Sequence, residues 1–261
     1  MTLPALLADR LRIDATGPLV TFYDDATGER TELSAVTFDN WVAKTANLLV
    51  DGLGLGPGDD AVLALPLHWQ SLVVAAGCWA AGLTVGFEGT ADVAFVDERS
   101  REVRVADERS REERVADQRS REEQVVDERS REERVAEAGQ PSAAADEIVV
   151  LSLRPLGAGL ATPDASVTDF ATEVRVHGDR FTGSPPGRDD EAFTGVTHAD
   201  LAAAGSSAER VLLAPDGDPR LDRRWLQRAY VEPLAGGGSV VLCRHADPAL
   251  LSRRREAERA V

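Results

Sequence analysis

The chain has 261 residues, 43% of them hydrophobic, and a formal charge of −16 at pH 7. That length holds one sizeable core or two small domains. The acidity excludes nucleic acid and anionic membrane surfaces as favoured partners, because both need a positive face.

Residues 3–12 have the spacing of a short amphipathic helix. The start has neither the basic residues nor the long apolar run of a signal peptide. "PLVTFYDD" and "ERTELS" predict two strands around the turn "DDATG", where Gly28 supplies the permissive backbone. In "TFDNWVAKTANLLVDGLG" the apolar residues Phe38, Trp41, Val42, Leu48 and Leu49 recur at helical spacing, with Thr37 as the expected N-cap. Gly52 and Gly54 close that helix. "PGDDAVLALP" reads as a turn and a buried strand, and "HWQSLVVAAGCWAAG" as an apolar helix ending at Gly82. "LTVGFEG" and "ADVAFV" read as two more strands.

A ten-residue unit then repeats over residues 97–138, beginning "DERSREVRVADERSREERVA". The segment holds 15 acidic and 11 basic side chains, so most of the net charge belongs to the rest of the chain. The unit is rich in helix formers, with opposite charges four residues apart, as at Asp107 and Arg111. Ten residues advance about 1000° around a helix, about 80° short of three turns. The apolar pairs therefore walk around the surface and form no coiled-coil seam. The segment reads as an inserted, solvent-exposed helix or a disordered stretch. Deleting residues 107–136 is expected to leave the thermal unfolding midpoint nearly unchanged. A large drop would refute the reading as an insertion.

After the repeat, "DEIVVLSL" predicts a strand. Residues 155–195 look loop-like, and alternation across "TEVRVHGDRF" places Glu173, Arg175 and His177 on one strand face. "THADLAAA" predicts a short helix capped by Thr197. "RVLLAP" and "GSVVLC" predict strands on either side of the helix "DRRWLQRAYVEPLAGG", and "DPALLSRRREAERA" a last helix. Strands and helices alternate, which predicts an α/β domain with a mostly parallel sheet and helices on both faces. Its expected parts are residues 1–96, the insertion at 97–138, and residues 139–261 as the second part of the same domain.

The order "TFDNWVAKTANLLVDGLGLGPGDDAVLALPLHWQSLVVAAGCWAAGLTVGF", with the later "GVTHADLAAA" and "PLAGGGSVVLCRHADPALL", resembles the N-terminal domain of the adenylate-forming (acyl-CoA synthetase) superfamily. More narrowly it resembles a short actinobacterial synthetase-like family of unknown function. The resemblance implies a truncated version of that N-terminal domain. Such enzymes hold the ATP phosphates with a Ser/Thr/Gly-rich loop followed by Pro-Lys. Here the matching stretch is "TGSPPGRDDE", with no lysine and with Asp189, Asp190 and Glu191 close behind. Lys44 is the only lysine in the chain. The aromatic-His element expected after "RVLLAP" is replaced by "DGDPR". The family's adenine, metal and ribose motifs and its catalytic lysine would lie beyond Val261.

No catalytic residue and no metal ligand is expected. Thr182, Ser184, His177 and Arg180 are the candidate ligand contacts near the altered phosphate loop. The expected function is a catalytically inactive synthetase-like protein with a binding or structural role and no cofactor. Its partners would be another protein, a second copy, or a small acyl or nucleotide ligand. The alternative is an AMP-forming ligase component completed by a partner chain, which would use ATP, AMP or CoA. The spaced glycines of "GLGLGPG" follow a helix, the reverse of a dinucleotide-binding turn. His68 and His198 read as helix-start residues, His245 and Asp247 as loop residues. Trp41, Trp69, Trp79 and Trp225 read as core. Cys78 and Cys243 sit in apolar runs and read as buried free thiols. No run of 18 apolar residues occurs, and a reducing cytoplasm is the expected compartment.

Overall fold

A computed structural model of the chain describes residues 1–101 and 144–261. The first residues of the repeat are described, Asp97 in a strand and residues 98–101 in a helical turn, and the choice between exposed helix and disorder for residues 102–138 lies outside the described residues.

Helix α1 (Leu3–Asp14) is capped by Thr2, whose hydroxyl accepts from the Ala5 N–H. Strands β1 (Pro18–Asp24) and β2 (Glu29–Ser34) form the expected hairpin, with Gly28 at φ 73°. Helix α2 (Ala35–Asn47) begins earlier than expected. Its cap is Ser34, whose Oγ accepts from the Thr37 N–H, so Thr37 is inside the helix. The entry is fixed by backbone bonds from Ala35 to Gly17 and from Val36 to Ala15, which the local sequence does not encode. A π-turn at Leu48–Gly52 ends the helix.

Strand β3 (Asp60–Ala64) leads into helix α3 (Trp69–Ala81), which stops at Gly82 with φ 89°. Every residue of α3 except Ala80 is buried, as expected for a helix apolar on all sides. Helices α2 and α3 cross at Gly77, where an added Cβ would lie 2.5 Å from the Thr45 methyl. β4 (Thr84–Gly86) and β5 (Thr90–Asp97) follow, and β6 (Ala144–Leu151) resumes after the repeat.

Strands β7 (Thr168–Asp169), β8 (Glu191–Phe193) and β9 (Val196–Thr197) are short. Between β7 and β8 the strand expected at 173–177 is absent. Helix α4 (Phe170–Glu173) and a 3-10 turn at Val174–Val176 stand there instead. Asp169 caps this helix by accepting from the Ala171 N–H, and burial of Phe170 and Val174 outweighs the alternating charges. Helix α5 (His198–Ala203) carries a full capping box between Thr197 and Asp200. Then come β10 (Arg210–Leu213), α6 (Arg223–Leu226), a π-turn at Gln227–Val231, α7 (Glu232–Gly236), β11 (Ser239–Arg244) and α8 (Pro248–Glu258).

The strands form a mostly parallel arrangement flanked by helices, divided between two sheets where one was expected. The larger has the order β7-β6-β5-β3-β4-β8-β9 and the smaller β10-β11-β1-β2. Among the described strand pairs, β1/β2 and β8/β9 are antiparallel and the others parallel. The large sheet is buried on both faces: Leu63, Phe95 and Val149 on one, Val62, Ala94 and Val150 on the other. A single apolar cluster joins the first of those faces, helices α1 to α3, and the inner residues Val20, Phe22, Val240 and Leu242 of the small sheet. All four tryptophans pack into it. Cys78 and Cys243 are free and buried. No described helix is long and apolar enough to cross a membrane.

Candidate functional site

In parallel α/β sheets, ligands collect outside the carboxyl ends of the strands. A cleft of about 590 Å³ lies there, where the two sheets meet. It is lined by the ends of β1 (Asp24), β5 (Asp97) and β11 (Arg244), by Ser152 just past the end of β6, and by Arg154, Asp218, Arg220 and His245. The segment 219–221 sutures the sheets beside it. Leu67 N–H donates to Pro219 O at 3.0 Å and Leu221 N–H to Leu65 O at 2.8 Å.

Most of the charges in the cleft are paired within it; Arg99 also lines it, exposed. Arg244 grips Asp218 through two hydrogen bonds, at 2.8 and 2.6 Å. Arg220 donates to Ala64 O at 2.7 Å, to Asp97 at 3.1 Å and to Ser100 Oγ at 2.7 Å. Arg154 stands 3.4 Å from Glu98. His245 Nδ1 lies 2.9 Å from Asp24. Burial alone would raise the Asp218 carboxyl, but the Arg244 guanidinium, with His245 and Arg220 near, holds it below its ordinary value. Burial also works against the Arg244 charge, and Asp218 and Asp24 keep its pKa above the ordinary value. Asp97, the first residue of the repeat, is therefore also the buried last residue of β5 and an anchor of this network.

Two residues lining the cleft have left-handed backbones without being glycine: Leu153 at φ 52° and His245 at φ 47°. Such conformations cost free energy and persist where surrounding contacts over-determine them. For His245 those contacts are the Asp24 bond and the Arg244–Asp218 pair beside it. Among the described residues no group of three or more His, Cys, Asp or Glu side chains could hold a metal ion.

The four residues expected as ligand contacts lie elsewhere. Thr182, Ser184 and Arg180 are exposed in coil, and none of them lines the cleft, nor does His177. The segment 177–180 is a loop tied to α2. Lys44 donates to His177 O and pairs with Asp179 at 2.8 Å. Asn47 donates to the carbonyls of Gly178 and Arg180, both at 3.0 Å. The only lysine is thus spent on loop anchoring, an arrangement that spacing along the chain does not show. The segment 182–190 ends in Asp190, which accepts from Gly187 N–H at 2.7 Å.

Two histidines flagged in the sequence are packed groups. His68 caps α3, its Nδ1 accepting from Gln70 N–H at 3.1 Å, and it meets Phe22 edge-on at 4.3 Å. His198 Nδ1 accepts from Leu3 N–H at 3.5 Å. Burial holds both in the neutral form. His198 is pushed down to about 4, and His68 lies well below its ordinary value, with Arg244 adding to the effect. His245 does sit past the end of β11, as expected of a loop residue, yet it belongs to the cleft. Sequence reasoning missed Asp97, Asp218, Arg220 and Arg244. They come from separate segments, and only the tertiary fold brings them together.

Comparison with known proteins gives three findings. No family model matches the chain. A "TIGR03089 family protein" of Mycobacterium tuberculosis is 37% identical over 270 aligned positions, covering 98% of this chain and 94% of that one. Solved structures share the fold at low identity. The Brucella canis acyl-CoA synthetase matches with a TM-score of 0.62 and 15% identity, over 100% of this chain and 46% of that one. A Mycobacterium tuberculosis fatty acyl CoA synthetase gives 0.63 and 14%, over 99% and 48%. A benzoate CoA ligase from Burkholderia xenovorans gives 0.60 and 13%, over 97% and 48%. The chain spans about half the length of these three solved proteins.

Proposed function

The chain belongs to the TIGR03089 family, and from that premise we propose that it is a non-catalytic protein on the adenylate-forming scaffold, with a binding or structural role. The observation that carries this reading is the state of its cations. Adenylate formation needs positive groups and backbone donors directed at a polyphosphate. Here Lys44 is held by His177 O and Asp179, while Arg154, Arg220 and Arg244 each face a carboxylate of the chain itself. A triphosphate entering the cleft would meet Asp24, Asp97, Glu98 and Asp218 as well as the guanidiniums. Breaking a part-buried bidentate arginine–carboxylate pair leaves a carboxylate without its partner, which costs several kcal/mol.

The exposed loop bearing Thr182, Ser184, His177 and Arg180 remains the proposed secondary contact for a small acyl or nucleotide ligand. A protein partner or a second copy is the other occupant the reading allows. The two parts of the chain on either side of the repeat act in it as one domain.

Calorimetry with magnesium–ATP, AMP, CoA and a panel of fatty and aryl acids tests the proposal. The expected result is no heat of ATP binding at millimolar nucleotide. Micromolar binding of magnesium–ATP, or exchange of pyrophosphate into ATP by this chain alone, would sink it.

A further inference from the structure

The small sheet has two faces of different character. Its inner residues join the main core. Its outer face carries Leu212, Val241 and Cys243, a separate small apolar cluster. Beside them runs a polar row in which Arg210 donates to Ser239 Oγ at 3.0 Å and to Thr21 Oγ1 at 2.7 Å. Helix α8 packs onto this cluster, and it does so without a single buried residue of its own. Leu251, just before Arg254 on the same helix face, and Ala260 touch the cluster while only partly buried.

What anchors α8 is charge. Leu251, Arg254 and Glu258 share one face by their spacing. Arg254 grips Asp25 through bonds of 3.2 and 2.7 Å and lays its guanidinium over the Tyr23 ring at 4.1 Å. Glu258 takes Arg210 at 2.5 Å and Arg30 at 3.2 Å, together with the Tyr23 hydroxyl. Past the helix, Leu212 N–H donates to Val261 O at 3.0 Å and Val261 N–H to Arg210 O at 2.9 Å.

We propose that α8 is a releasable strap. An ion-pair seam rather than core packing holds it on the small sheet, and it lifts away while the rest of the domain stays folded, uncovering Leu212, Val241 and Cys243. Segments with few buried apolar contacts open locally at much lower free energy than the core. An eleven-residue helix without tertiary support is marginal in water, so the strap melts once detached. The Asp25 carboxylate is the hinge-side clamp, since it also accepts the Asp247 N–H at 2.7 Å at the start of the helix. Glu258 is the far-side clamp.

The two cysteines give the test. Cys78 is wholly buried inside α3 and reports global unfolding; Cys243 lies under the strap. The full chain and its Asp25→Asn, Glu258→Gln and double variants are treated with iodoacetamide, and each thiol is followed by mass spectrometry. Cys243 should label ahead of Cys78 in the unaltered chain. Each substitution should speed Cys243 by about tenfold, the size of one lost charge-assisted hydrogen bond, with Cys78 unchanged. Equal labelling of the two thiols, or a Cys243 rate indifferent to both substitutions, overturns the strap. If the double variant does not fold, amide exchange in the unaltered chain decides. Residues 249–258 should exchange about a hundredfold faster than residues 240–243, and equal protection overturns the proposal.

Discussion

Replacing Trp79 by alanine is expected to remove about 3–5 kcal/mol of stability, the upper range for deleting a buried aromatic side chain. Trp79 is wholly buried. Its indole N–H donates to Ala192 O at 2.8 Å, and its ring meets Phe193 edge-on at 5.5 Å. On another side it stacks with Tyr230 at 6.1 Å, and Tyr230 stacks with Phe38 at 5.4 Å. One side chain on α3 therefore joins β8 of the large sheet to the π-turn that supports the small one. Domains of this kind are stable by about 5–15 kcal/mol in total, so the alanine variant stands near the edge of folding. Trp79→Phe keeps a ring and loses the N–H, and should cost only about 1–2 kcal/mol. Urea unfolding followed by circular dichroism measures both. An alanine variant within about 1 kcal/mol of the parent would show that Trp79 does not join the parts in this way.

The second large effect is a loss of stability as pH falls from about 6.5 toward 4, most of it above pH 5, where ordinary carboxylates have scarcely begun to titrate. His198 is pushed down to about 4 by burial. In the unfolded chain it takes a proton near 6.5. Between those values the unfolded state binds more protons than the folded one, so acid favours unfolding. The shift corresponds to about 3 kcal/mol by pH 4. His68 acts in the same direction, because its Nδ1 already accepts the Gln70 N–H and its buried Nε2 has no partner among the described residues. Asp25 and Glu258 have depressed values. Their contribution is present above the ordinary carboxylate range and is lost only as pH falls below it, so the two windows separate. Urea midpoints at pH 7.5, 6, 5 and 4.5 should fall steadily, and His198→Gln should flatten the upper part of the curve. Equal midpoints at pH 7.5 and 5 would show that neither histidine is buried neutral.

Much of the fold was legible because it rests on local rules. The apolar run of α3 with Gly82 at its end, the Thr197 capping box and the β1/β2 hairpin at Gly28 each need only a few neighbouring residues. What was hidden depends on distant ones. Ser34 and Thr37 both offer a hydroxyl, and the choice is made by backbone partners at Gly17 and Ala15. The alternating charges of residues 173–177 suggested a strand, but burial of Phe170 and Val174 selects a helical turn. The division into two sheets follows from β11 pairing with β1, a contact between the far ends of the chain. The candidate site was least legible of all. The loop with Thr182 and Ser184 could be found by its departure from the superfamily pattern. The cleft could not, because Asp97, Asp218, Arg220 and Arg244 are scattered and look like ordinary surface charge until the strand ends converge.

The backbone bonds between Val261 and β10 bear on how copies of the protein behave toward one another. A bare edge strand offers unpaired N–H and C=O groups that recruit a strand from a neighbouring molecule. In the small sheet one edge is β2, where Arg30 and Glu32 discourage such pairing by charge. The other is β10, where the Leu212 N–H and the Arg210 carbonyl are already taken by Val261. Protection against intermolecular sheet growth thus comes from two different devices on the two edges of one sheet, side-chain charge on one and a borrowed stretch of backbone on the other.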